Sequence, residues 1–181
     1  MRRLIMAVAA LVLTLGINAQ TKSEIVPGKK LVVYFSVSGN TKKAAENIAQ
    51  AIGADIFEIK PSEPYTAADV DYRNRECRSI KEIGDPSIRP AISNKVTDMK
   101  QYETVLIGYP IWANLPPNVI NTFIESYDFS GKKVMPFATS GSSPIDNSAN
   151  SLKTKYPDIN WGAGKLFKGE FDKAAVESWL K

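Results

Sequence analysis

The sequence predicts a three-layer α/β domain, a doubly wound parallel sheet of five strands with helices on both faces. Three observations carry that prediction. Runs of strand length at 31–35, 104–109 and 133–139 are apolar on consecutive rather than alternate residues, as strands buried on both faces must be. Segments with apolar residues at helical spacing separate them, so strand and helix alternate along the chain. A length of 181 residues, 44% of them hydrophobic, suits one full core and not two.

The first nineteen residues are of another kind. Arg2 and Arg3 precede an almost continuous apolar run from Leu4 to Ile17, and Ala19 puts a small residue before Gln20. That order is the one of a secretory signal peptide, expected over 1–19, and the run is short for a membrane span. No cysteine follows it that could take a lipid, so no stable membrane anchor is expected after cleavage. A polar leader, 20–30, then precedes the domain at 31–181, and the expected location is the periplasm or the exterior.

Within the domain, Ala44, Ala45, Ile48, Ala49 and Ile52 form the first helical stripe, and Gly53 stops it. Residues 55–60 read as the second strand. The segment 61–103 exceeds what one crossover needs. It is expected to hold a helix near 69–83 and then a loop marked by Gly84, Pro86 and Pro90. After the strand at 104–109, Pro116 and Pro117 open a helix whose stripe is Val119, Ile120, Phe123, Ile124 and Tyr127. The strand at 133–139 contains Pro136, whose missing N–H should break a ladder. Ile145, Ala149, Leu152 and Tyr156 suggest a further helix. A fifth strand at 161–168 is weakened by Gly162 and Gly164, and Phe171, Ala175 and Trp179 close the chain on a helix that begins near Asp172.

Composition narrows the chemistry. Residues 1–19 hold two arginines and no acid, so their removal takes the formal charge from +4 to +2. With no basic stripe interleaved with aromatics, nucleic acid is not an expected partner. The chain has no histidine, which removes Ser-His-Asp chemistry and the commonest zinc ligand. Cys77 is the only cysteine, so no intramolecular disulfide forms, and it reads as a passenger in a helix.

Ligands of open parallel sheets bind beyond the C-terminal ends of the strands. Three loops meet that description, SVSGNT, PIWANLPP and TSGSSP. In the first, Ser36, Ser38, Asn40 and Thr41 offer donors, and the following helix aims free N–H groups at the loop, which suits a phosphate. A strand-to-helix turn capped by Ser38 or Asn40 is the plainer reading, but a cap needs one such residue and here there are four. The loop has neither a Gly-Lys-Ser/Thr ending nor Gly-x-Gly-x-x-Gly, which disfavours a Walker-type or dinucleotide site. Trp112, bounded by prolines, could wall a flat pocket or cover the sheet's end. The third loop is small and polar, suited to the edge of a heterocycle. Together the three suggest a mononucleotide with a large planar ring.

With its strand followed by Ser-Val-Ser-Gly-Asn-Thr, the segment 31–181 resembles the flavodoxin family, and PIW…PP and FSGKKVMPFATSGSS resemble a bacterial subgroup of it. The resemblance implies strand order 2-1-3-4-5 and FMN as cofactor. Ser36, Ser38, Gly39, Asn40 and Thr41 would hold the phosphate. Trp112, in the loop Pro110, Ile111, Trp112, Ala113 and Asn114, would lie against the isoalloxazine, with Thr139, Ser140 and Gly141 along its polar edge. No catalytic or metal-ligating residue is expected. Many flavodoxins are acidic and dock on basic partners, whereas this chain is near neutral. Where the subgroup often has glycine two residues after the tryptophan, Asn114 stands, a residue that tolerates positive φ. The loop TSGSSPIDN lacks the aromatic with which many family members cover the outer flavin face.

The leading expectation is an exported electron carrier that serves a redox partner protein or a small electron donor or acceptor. An FMN-dependent NAD(P)H or quinone reductase is the alternative within the same class. A binding module that kept the fold but holds little or no flavin is the alternative outside it.

Overall fold

The computed structural model describes residues 27–169 and 171–181, so the leader assigned to 1–19 and most of the polar leader at 20–30 lie outside the described residues. Four parallel strands form most of the sheet: β1 Lys30–Tyr34, β2 Asp55–Glu58 at one edge, β3 Thr104–Pro110 and β4 Lys133–Thr139. Two short strands, β5 Asn160–Trp161 and β6 Lys165–Phe167, pair in succession with the outer side of β4, so the order is 2-1-3-4-5 with β6 beside β4. The expected fifth strand is therefore interrupted. A Cβ on Gly162 would stand 3.0 Å from Met135, and one on Gly164 would stand 3.2 Å from Ala149 and Ile145, so the bare backbone between β5 and β6 packs close against its neighbours.

That interruption accounts for Pro136. Along a strand, alternate residues turn their N–H and C=O groups to the same side. Lys133 N–H donates inward to Glu103 O, whereas Val134 O accepts outward from Gly162 N–H at 2.8 Å. Pro136, two residues beyond Val134, thus faces outward, opposite the gap between β5, which pairs with Lys133 and Val134, and β6, whose pairing with β4 starts at Phe137. The missing donor falls where no strand asks for it.

Side-chain alternation explains why the strands read as uniformly apolar. Leu31, Val33, Phe35, Val105, Ile107, Tyr109, Val134 and Ala138 build one core with α3 Asn118–Glu125 and α4 Asp146–Lys155. Val32, Tyr34, Leu106, Met135 and Phe137 build the other against α1 Asn40–Ile52 and α5 Lys173–Leu180. On α1 the buried side chains are Thr41, Ala44, Ala45, Ile48 and Ala49, and the helix stops at Gly53, whose N–H donates to Ala49 O at φ 62°. Asp172 caps α5 by accepting Ala174 N–H at 2.9 Å.

The segment 61–103 corrects one expectation. In place of a helix over 69–83 there is a 3-10 turn at Ala68–Val70 and a short helix, α2 Arg78–Gly84. Between them Asp71 Oδ1 accepts Arg73 N–H at 3.1 Å and Asn74 Oδ1 accepts Glu76 N–H at 2.9 Å. Short polar side chains that bond nearby backbone in this way compete with the helix and break it. Farther along, Asn94 accepts Lys60 N–H at 3.0 Å and donates to Glu58 O at 2.7 Å, which closes the C-terminal end of the edge strand β2. Among the described residues no helix is long and apolar enough to cross a membrane.

Candidate functional site

The β1–α1 loop begins where Phe35 N–H leaves the ladder on Gly108 O. Gly39 sits at the N-cap of α1 in the left-handed region, φ 86°, and its own N–H donates to Ser36 Oγ at 3.1 Å. No side chain caps this helix. Asn40 Nδ2 instead donates to Ser38 Oγ at 3.2 Å, so neither residue acts as the cap that a plain strand-to-helix turn would use. The first-turn N–H groups of Asn40, Thr41 and Lys42 remain to be satisfied from outside the helix, at its positive dipole end. Thr41 is buried, and its hydroxyl meets that of Thr139 at 2.7 Å, which ties the first loop to the end of β4.

In the β3–α3 loop, Trp112 and Leu115 exchange backbone hydrogen bonds at 3.0 and 2.9 Å around a two-residue turn. Ala113 and Asn114 occupy its centre with φ of 45° and 66°, both left-handed. The turn presents Trp112, whose ring stands edge-on to Phe35 at 5.7 Å and to Tyr65 at 5.3 Å. Tyr65 is fixed in turn. Its hydroxyl donates to Glu82 Oε2 at 2.5 Å, and the Arg78 guanidinium lies 3.9 Å over its ring while donating to Glu82 Oε1 at 2.7 Å. Burial first, and then the bond to Glu82, push the Tyr65 phenol far above the ordinary tyrosine range. It stays neutral, and the tryptophan rests on a rigid aromatic base.

In the β4–α4 loop, Ser140 Oγ accepts the N–H groups of Ser142 and Ser143 at 3.2 and 2.8 Å. The loop therefore spends two of its backbone donors on its own turn. Beneath it the Tyr109 hydroxyl donates to Ser148 Oγ at 3.2 Å, joining β3 to α4, and burial raises this phenol to about 12.

These three loops surround one cleft of about 670 Å³. Ser38, Asn40, Pro110, Ile111, Trp112, Thr139, Ser140 and Gly141 line it. Ser36, Gly39 and Thr41 shape the loop without lining the cleft, and Ala113 and Asn114, in the turn between Trp112 and Leu115, do not line it either. Several wall residues escaped sequence reasoning. Lys43 and Asn47 extend the wall along α1 from Asn40 at helical spacing, a signal that was available. Val70 and Tyr72 come from the segment expected as helix, and Phe167, Lys168 and Phe171 from the junction of β6 and α5. Among the described wall residues there are two lysines and no carboxylate, which favours an anion.

A parallel sheet in this order, with its cleft beyond β1, β3 and β4, defines the doubly wound α/β class with a ligand site at the topological switch point. Residues 29–181 match the flavodoxin family, and the chain belongs to it. It is similar to a flavodoxin of Maridesulfovibrio salexigens, at 30% identity over 115 residues, which span 60% of this chain and 61% of that protein. A crystal structure from Bacteroides eggerthii, described as that of a candidate flavoprotein, superposes with a TM-score of 0.82 at 50% identity, over 84% of this chain and 95% of that one. A flavoprotein of Lactobacillus acidophilus, solved in complex with FMN, superposes with a TM-score of 0.70 at 27% identity, over 84% and 99% of the two chains.

Proposed function

We propose that this chain is an exported FMN-binding protein that moves electrons between a donor and an acceptor. The observation that carries this reading is the α1 N-terminus, left without a side-chain cap beside a cleft that also holds Trp112. The FMN complex of the Lactobacillus relative supports it. In this reading the first-turn N–H groups of α1, with Ser38 and Asn40, bind the phosphate. Trp112 walls the isoalloxazine, and Thr139, Ser140 and Gly141 follow its polar edge. Bound FMN supplies one- and two-electron chemistry, and the protein supplies binding, orientation and a local field.

The chain has no histidine, and electron transfer through a bound flavin asks for no acid–base side chain, which suits the carrier reading. The partner is then a redox protein or a small electron donor or acceptor. Stopped-flow mixing of the FMN-loaded protein with NADPH and a quinone tests the choice. A carrier gives no sustained turnover on its own, and rapid catalytic turnover by this protein alone would contradict the carrier reading. Export rests on the order of charge, apolar run and small residue over 1–19. N-terminal sequencing of the accumulated protein is expected to begin at Gln20, and a retained leader in the cytoplasmic fraction would refute it.

A further inference from the structure

Tyr72 is 78% exposed, and among the described residues the other large hydrophobic side chain that stands exposed is Ile56, at 45%. The loop that holds it is built by its own hydrogen bonds. Thr66 N–H and its hydroxyl both donate to Asp69 Oδ2 at 2.7 Å, and Asn74 N–H donates to Asp71 O at 2.9 Å. Cys77 and Ser79, both buried, anchor the far side of the loop at α2. A turn held this way keeps the phenol ring out of either core and at the wall of the cleft, which it shares with Val70, Ile111 and Trp112. Among the described residues, the ring contact that Tyr72 makes is with the Arg73 guanidinium, 5.8 Å from its centroid. An aromatic ring that a hydrogen-bonded loop holds in solvent gives up burial against the protein and leaves its face for a planar ligand. The β4–α4 loop offers only small residues to the same cleft, Ser140 and Gly141.

We propose that Tyr72 closes over the isoalloxazine at the mouth of the cleft and is a ring-binding residue of this site. The proposal rests on the FMN reading and goes beyond it. It assigns the outer aromatic contact to the β2–β3 crossover and not to the loop after β4.

Affinity for FMN and for riboflavin, measured by flavin fluorescence titration on the parent protein, Tyr72→Ala and Tyr72→Phe, tests it. Loss of a stacked ring weakens both flavins by the same factor, roughly tenfold, because the contact is with the ring and not with the phosphate. Tyr72→Phe keeps the stack and is expected to stay within about twofold of the parent. The unfolding curve of the flavin-free protein is expected to be the same for all three, since the side chain is exposed. Unchanged affinity of Tyr72→Ala for both flavins, or a loss confined to FMN, would overturn the proposal while leaving FMN binding intact. A parent protein that binds neither flavin would overturn the FMN reading and this proposal with it.

Discussion

Ser38→Glu is expected to weaken FMN binding by at least about a hundredfold while leaving the flavin-free protein as stable as before or slightly more so. Ser38 is exposed on the β1–α1 loop and its Oγ accepts from the Asn40 amide, so a longer side chain has room. A carboxylate just before a helix N-terminus is favourable in the free protein, by about 0.3–1 kcal/mol. Beside a phosphate it is repulsive. At about 5 Å and an effective dielectric constant near 20, each pair of unit charges costs about 3 kcal/mol, and a phosphate monoester carries about −1.5 to −2. Solvent screening at this exposed position takes back part of that, and about 3 kcal/mol remains as a conservative figure, which corresponds to a factor of a hundred or more. Riboflavin has no phosphate and is expected to lose only a few-fold. Parallel titrations of both flavins check this. Equal losses for the two would mean that the ring, and not the phosphate, sits at this loop.

Gly108→Ala is expected to destabilise the protein by about 3 kcal/mol, at the upper end of the usual overpacking cost. A Cβ at this position in the centre of β3 would lie 2.1, 2.4 and 2.7 Å from three ring atoms of Phe137. The ring has little room to move. Phe137 is fully buried and stands edge-on to Phe167 at 6.0 Å, and Phe167 stands edge-on to Trp179 at 6.1 Å. For a chain of this size the loss corresponds to a fall in Tm of about 6–12 °C, readable by thermal melts. A smaller partner should relieve it. Phe137→Leu in the Gly108→Ala background is expected to cost less than the two changes added separately, and strict additivity would show that the ring is not the obstacle. The position also matters for the site, because β3 runs from Gly108 through Tyr109 to Pro110 on the cleft wall.

Much of the fold was legible because the sheet is covered on both sides. Runs such as Val32, Val33, Val105, Leu106 and Ile107 leave no polar face, and that excludes a half-exposed sheet. What stayed hidden depended on register. Pro136 looks like a defect until its outward side is seen to face the gap between β5 and β6, and no local pattern carries that information. The expected helix at 69–83 failed for the opposite reason. Its apolar and charged residues were compatible with a helix, but Asp71 and Asn74 took the backbone N–H groups that a helix would have used.

The site divides in the same way. The loops after β1, β3 and β4 could be read as neighbours from topology alone, and they do share one cleft. Lys43 and Asn47 followed from helical spacing but went unread. Tyr72, by contrast, reaches the cleft from a crossover whose path is set by long-range contacts, Tyr65 with Glu82 and Asn118 with the backbone of α2. Trp112 was legible as a wall, whereas the Phe35–Tyr65–Arg78–Glu82 support behind it was not, since its members are dispersed along the chain.

The most direct test of the account is a titration of the mature protein with FMN, followed by flavin absorbance and fluorescence. The account predicts stoichiometric binding of one FMN per chain, with quenched flavin fluorescence and a perturbed visible spectrum as the ring meets its aromatic wall. A protein that stays colourless and leaves the fluorescence of added FMN unchanged would contradict it.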